Sequence, residues 1–181
     1  MGRSPKKWPT PPKHTFQLNF VVASKGNPGN SGFGGIFRDY KGDPLLSFLG
    51  SKGWDTNNLA ELEGLWQGLI LAHNQAFFPV IIEGDSQIII NMVSKIMQGT
   101  PSSKVSNSWR ISRRLELIEC WLSSHRSINF KNIRREGNKV VDSLANVGVK
   151  CGLDLHTGSI SRLASETQLN EYQNLVKNEK K

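Results

Sequence analysis

The sequence of 181 residues contains little of what would place it at once. It has two cysteines, Cys120 and Cys151, too few for a disulfide scaffold. A reducing, intracellular setting is therefore expected, with nucleus, cytoplasm and organelles left undistinguished. No apolar run approaches the roughly 20 residues that a membrane span needs, so no membrane partner is expected. Residues 1–8 are basic and proline-broken, without the apolar core of a secretory signal. The four histidines, His14, His73, His125 and His156, lack metal-ligand spacing, and the cysteines lack a second pair, so nothing supports a zinc site. A Gly-x-Ser-x-Gly elbow is absent, which removes the support for a serine hydrolase. Lys25-Gly26-Asn27-Pro28-Gly29 is not a phosphate-binding P-loop: no Gly-Lys-Ser/Thr ends it, and a strand follows.

What is present suits one compact domain with a real core: 37% of residues are hydrophobic and 21% charged. The net charge of +8 favours an anionic partner, nucleic acid first. That excess is uneven. Residues 1–14 carry four cations (Arg3, Lys6, Lys7, Lys13) and no acid, and residues 15–103 are net −2. Residues 104–139 are net +6, and the remainder balances. Such a strip can be a solvated face or a surface that meets phosphates.

Hydrophobic periodicity gives the organisation. Residues 1–14, with four of the eight prolines, read as an extended basic arm. Phe16, Leu18, Phe20 and Val22 alternate as in a strand. Residues 33–39 and 44–50 read as two more strands, turning at Lys41-Gly42-Asp43, so an antiparallel meander opens the domain. Leu62, Leu65, Trp66 and Leu69 then follow helical spacing, predicting a helix from about Asn58 to Ala76. A buried strand at residues 80–82, two helices (the second from Trp109 to Ser123), a fifth strand at 127–133 and a helix from Lys139 to Lys150 complete the pattern. The order β-β-β-α-β-α-α-β-α predicts an α/β domain over residues 15–152: a five-stranded mixed sheet flanked by helices. Residues 153–181 form a tail, with a weakly amphipathic helix expected from Ser161 to Lys177.

Three carboxylates stand out by position. Asp85 follows a buried apolar strand, at the end where open α/β sheets place ligands. Glu61 falls in the expected first turn of one helix and Asp142 early in another. Each also has a structural explanation, since acids near helix N-termini favour the macrodipole and Asp85 suits an N-cap. Thr56-Asn57-Asn58 is equally compatible with a helix cap, and Trp109 with an anchor in the core or on the surface.

The order of these pieces over residues 16–150 resembles a ribonuclease H domain. The type most similar closes plant non-LTR retroelement polyproteins and also occurs as small free-standing proteins. Six segments carry the likeness. They are Leu18-Asn19-Phe20, Ala23 to Gly29, Gly34-Gly35-Ile36-Phe37-Arg38-Asp39, Thr56-Asn57-Asn58-Leu59-Ala60-Glu61, Glu83-Gly84-Asp85-Ser86, and Arg135-Glu136-Gly137-Asn138 running on to Asp142. Trp8-Pro9 and Pro11-Pro12 are similar to the proline-rich lead-in of that type. The resemblance implies hydrolysis of the RNA strand of RNA–DNA hybrids, using two Mg²⁺ or Mn²⁺ ions roughly 4 Å apart. It implies that Glu61, Asp85 and Asp142 are catalytic and metal-binding carboxylates, because Mg²⁺ prefers hard oxygen ligands. It further implies that Asn27, Thr56, Asn57, Asn58 and Asn107 contact nucleic acid, that Trp109 packs on a sugar, and that Arg110, Arg113 and Arg114, with Arg134 and Arg135, meet phosphates.

One departure matters. The family carries a fourth acid, an Asp usually followed by Gly, in the first strand; here Val21 and Val22 stand there. A loss on the order of 4 kcal/mol of transition-state stabilisation would slow cleavage about 1,000-fold. Asn19 shares the face of Val21 but sits roughly 6.5–7 Å along the strand, too far to replace an acid there. A family His is replaced by Asn132, which cannot shuttle a proton near neutral pH. The expectation is a protein that binds RNA–DNA hybrid or structured RNA, with cleavage weakened or absent and one ion or none retained. The alternative is a structural or partner-binding pseudo-enzyme in a ribonucleoprotein or retroelement-derived assembly, with the tail meeting a protein partner.

Overall fold

The computed structural model describes residues 11–135, 139–152 and 155–159. Three strands come first: β1 (Phe16–Gly26), β2 (Gly29–Arg38) and β3 (Pro44–Asp55). Helix α1 (Asn57–Asn74), strand β4 (Val80–Gly84) and helix α2 (Gln87–Met97) follow. A 3₁₀ turn at Ser102–Lys104 leads into α3 (Trp109–Ser123), then β5 (Ile128–Asn132), α4 (Lys139–Lys150) and β6 (His156–Gly158). The sheet order is β5-β4-β1-β2-β3-β6. The meander β1–β2–β3 is antiparallel, whereas β4 pairs parallel with β1 and β5 parallel with β4.

The expected α/β architecture is present, with a sixth strand. Antiparallel pairing of Phe48 with Thr157 adds β6 to the edge beside β3, so the sheet runs past residue 152. Its three residues are too short for a period-2 pattern to register. The loop expected at Lys25–Gly29 is a tight hairpin whose strands close to Gly26 and Gly29. Residues 1–10 of the basic arm and the helix expected at Ser161–Lys177 lie outside the described residues. Among the described residues no helix is long and apolar enough to cross a membrane.

Strand alternation divides the interior in two. Leu18, Phe20 and Val22 project into the larger core with Leu62, Leu65 and Leu69 of α1 and Ile89 and Val93 of α2. From α3 the same core receives Ile111, Leu115 and Ile118. Val21 and Ala23 face the opposite side and pack with Val140, Val141 and Leu144 of α4. Both faces of β1 are thus covered, as expected for a central strand between helical layers.

Helix α4 reaches the sheet through glycine. A Cβ at Gly32 would run into the backbone at Val149, and one at Gly148 into the carbonyl oxygen of Gly50. This close approach sets the depth of α4 and therefore of Asp142 in its first turn. Gly148→Ala should destabilise the domain by about 1–3 kcal/mol through overpacking. Gly152→Ala, where a Cβ meets nothing within 4 Å, is the control and should be neutral. Urea midpoints at constant m-value check this, and equal midpoints would refute it.

Candidate nucleic-acid interface and acidic cluster

Two structures meet at the carboxyl ends of β1 and β4. The first is a polar corner. Thr56 is the N-cap of α1, its hydroxyl accepting from the Leu59 N–H at 3.4 Å. The side-chain oxygen of Asn27, at the tip of the β1–β2 hairpin, accepts the Asn57 N–H at 3.1 Å. The hairpin tip is thereby pinned to the helix start, gathering Asn27, Thr56, Asn57 and Asn58.

A groove of about 200 Å³ lies beside the start of α3, lined by Lys52, Leu59, Trp109, Arg113 and neighbouring residues. Trp109 is 74% exposed, which makes it a surface residue rather than a core anchor. The three arginines of α3 differ in what they do. Arg110 Nη2 lies 2.7 Å from Asp55 Oδ2, and Arg114 Nη2 lies 2.5 Å from Glu63 Oε2. Lys52 Nζ sits 3.8 Å from both acids. This network ties α3 to β3 and α1, so much of the charge of Arg110 and Arg114 is already compensated. Among the described residues Arg113 is exposed and has no acidic partner. Asn107 is exposed two residues before the helix. Sequence reasoning missed Asp55 and Glu63, and also Trp54, which is 70% exposed next to Asp55. Alternation along β3 was the available signal for Trp54, but a bulge near Gly53, whose φ is +73°, breaks it.

The second structure is acidic. Glu61 lies beyond the first turn of α1, so the macrodipole explanation does not apply to it. Nor is Asp85 the cap of α2; Ser86 is, accepting from the Ile89 N–H at 3.4 Å. Asp142, in the first turn of α4, does keep the dipole benefit. All three acids come within electrostatic range, and Arg135 stands among them. Its Nε lies 3.3 Å from Asp142 Oδ1 and 3.6 Å from Asp85 Oδ2, and its Nη2 donates to the Val22 carbonyl at 3.4 Å. The phosphate-facing role expected for Arg135 is therefore not what its contacts show. Burial, reinforced by Asp85, pushes the Glu61 carboxyl up from 4.5 to about 8, against the pull of Arg135. Burial likewise raises Asp85, again opposed by Arg135. Glu61 Oε2 and Asp85 Oδ1 are buried without a hydrogen-bond partner among the described residues.

The chain matches the reverse transcriptase-like family over residues 19–148. It belongs to that family of ribonuclease H-like domains. An Arabidopsis thaliana protein named for ribonuclease H is 27% identical over 164 residues, covering 91% of this chain. The chain spans only 25% of the length of that relative. RNase H1 from the halophilic archaeon Halobacterium salinarum superposes with TM-score 0.63 at 25% identity, covering 75% of this chain and 98% of its own. LC11-RNase H1, solved in complex with an RNA/DNA hybrid, gives TM-score 0.63 at 26% identity, over 75% of this chain and 97% of its own.

Ribonuclease H-like proteins generally use divalent metals. The two unpartnered carboxylate oxygens have the chemistry such ions prefer. The rest of the site does not fit. Among the described residues no three His, Cys, Asp or Glu side chains are placed to hold an ion. Val21 is fully buried against α4. Asn19 donates to Glu83 Oε2 at 2.7 Å and is committed there. Asn132 donates to the Gly84 carbonyl at 3.2 Å, a strand-joining role. His73 and His125, apart in sequence, meet with ring nitrogens 2.9 Å apart, and His125 stacks on Trp121 at 3.7 Å.

The raised Glu61 carboxyl gives a pH prediction. The folded state holds this proton up to about pH 8, while the unfolded chain releases it near 4.5. Stability from this group is full below pH 4.5 and falls as pH rises through 8. Glu61→Gln removes that loss. Its thermal midpoint should match wild type near pH 4.5 and exceed it by roughly 3 °C or more at pH 8.5, equivalent to about 1 kcal/mol. A midpoint difference that does not grow with pH would contradict the burial argument.

Proposed function

We propose that this chain binds nucleic acid, RNA–DNA hybrid or structured RNA, with hybrid cleavage weakened or lost. One observation carries the reading. The corner of Asn27 and Thr56–Asn58 and the groove of Trp109 and Arg113 are built on the strand β1 and helices α1 and α3, while position 21 of that same strand is an apolar, fully buried valine. The complex of LC11-RNase H1 with an RNA/DNA hybrid supports hybrid as the first ligand to try.

The division of labour follows from charge. Arg113 offers sequence-independent attraction to phosphates. Trp109 offers a flat face to a sugar or base, worth on the order of 1–3 kcal/mol where it stacks. The amides of Asn57 and Asn58 can bond to 2′-hydroxyls, which distinguish RNA from DNA. None of these contacts requires a metal ion.

Fluorescence anisotropy with a labelled hybrid, in EDTA, tests the binding. Affinity should fall steeply with salt, and Arg113→Ala should flatten the log–log slope by about 0.7–0.9 while leaving the fold intact. Equal affinity for hybrid, duplex DNA and heparin would sink the specific corner. The cleavage half is tested by incubating hybrid with excess protein in Mg²⁺ or Mn²⁺. Little or no product is expected, and efficient cleavage abolished by Asp85→Asn would overturn it.

A further inference from the structure

We propose that Arg135 is the resident cation of the acidic cluster, occupying the place between Asp85 and Asp142 that a divalent ion would need. This goes beyond the nucleic-acid binding proposed above and does not rest on it.

The geometry is that of a counter-ion. The guanidinium approaches one acid on each side, 3.3 Å from Asp142 and 3.6 Å from Asp85, through the same Nε. It is held from a third direction by the Val22 carbonyl, on the strand that carries the apolar position 21. Arg135 thus touches β1, the segment after β4, and α4, three of the elements around the cluster. The acids come from distant parts of the chain, and Glu61 Oε2 and Asp85 Oδ1 have no hydrogen-bond partner among the described residues. Two carboxylates side by side, Asp85 and Asp142, need a compensating cation when both are ionised. Arg135 is the cation in contact with two of them.

Arginine suits the task for chemical reasons. Its guanidinium stays protonated at any physiological pH, and it offers several N–H donors in a fixed plane. An ion, by contrast, needs about six oxygens at short range. Position 21 contributes no oxygen to such a set, and a guanidinium seated between Asp85 and Asp142 competes with an ion for theirs. The guanidinium is 60% exposed on its outer side, so it closes the cluster without sealing it. Its charge belongs to the basic stretch of residues 104–139, yet its contacts turn inward. The consequence is a cluster that stays assembled in the absence of metal and takes up divalent ions poorly.

Mn²⁺ binding to the full chain, followed by the EPR signal of the free ion, is the test. Wild type should bind Mn²⁺ weakly, and Arg135→Gln should bind it at least tenfold tighter. Adding Asp85→Asn to that variant should abolish the gain. A wild-type chain that binds Mn²⁺ as tightly as Arg135→Gln would overturn the proposal. Should Arg135→Gln fail to fold, the wild-type chain decides the matter through the ¹⁵Nε–H resonance of Arg135. That resonance should be unmoved by 10 mM Mg²⁺, used as a probe concentration of roughly millimolar order. Its displacement by Mg²⁺ would show that the ion evicts the guanidinium and would overturn the proposal.

Discussion

The close seating of α4 on the sheet is the constraint from which both candidate surfaces take their geometry. Backbone meets backbone at Gly32 and Gly148, with no room for a Cβ at either. Because α4 cannot rise, its first turn stays level with the carboxyl ends of β1 and β4, and Asp142 stays beside Arg135. The same seating presses Val140 and Val141 onto Val21, so the apolar residue of β1 is enclosed rather than merely present. On the opposite face β1 sends Leu18 and Phe20 into the layer of α1 and α3. That layer carries the groove and the capped corner. One central strand therefore fixes Asp142 through α4 on one side, and Glu61 and the nucleic-acid surface through α1 and α3 on the other.

Much of this was legible in the residues, and the reason is periodicity. Leu62, Leu65 and Leu69 in α1 and Ile111, Leu115 and Ile118 in α3 repeat at helical spacing and are all buried in one core. The three carboxylates could be picked out because the sequence pattern puts each near an expected element boundary, although Glu61 lies a turn inside α1. Their convergence could not be derived from spacing, since Glu61, Asp85 and Asp142 come from three segments joined only by the sheet order. The partners of the basic residues were illegible for the same reason. Arg110 reaches Asp55 across 55 residues, and Arg135 reaches Val22 across 113. A count of charges along the chain treats Arg110, Arg113 and Arg114 alike, but Arg110 and Arg114, one turn apart, reach Asp55 and Glu63.

The net charge of +8 consequently overstates what is available to a polyanion. Arg110, Arg114, Lys52 and Arg135 all have acidic partners in the fold, whereas Arg113 beside Trp109 has none among the described residues. Salt bridges near the surface add modestly to stability, so the network of Asp55 and Glu63 is better understood as fixing α3 in register than as a source of energy. That register is what lets Trp109 stand out from the surface with Arg113 one turn further along. The binding surface is small and shaped, not a diffuse positive face.

Position 21 joins these lines of reasoning. An acid there would add a further negative charge to a corner where burial already raises Glu61 and Asp85. It would be affordable only with a strongly bound cation of higher charge than arginine carries. A valine removes that demand and contributes instead about 1.5–3 kcal/mol of burial against α4. With the fourth acid gone, one guanidinium shared by Asp85 and Asp142 is enough to hold those two acids together. Val21 and Arg135 are thus two halves of one electrostatic solution: fewer acids, and a cation supplied by the chain. In such a site the framework for holding nucleic acid is independent of divalent metal, because Thr56, Asn57, Trp109 and Arg113 stand on contacts that involve none of the three acids.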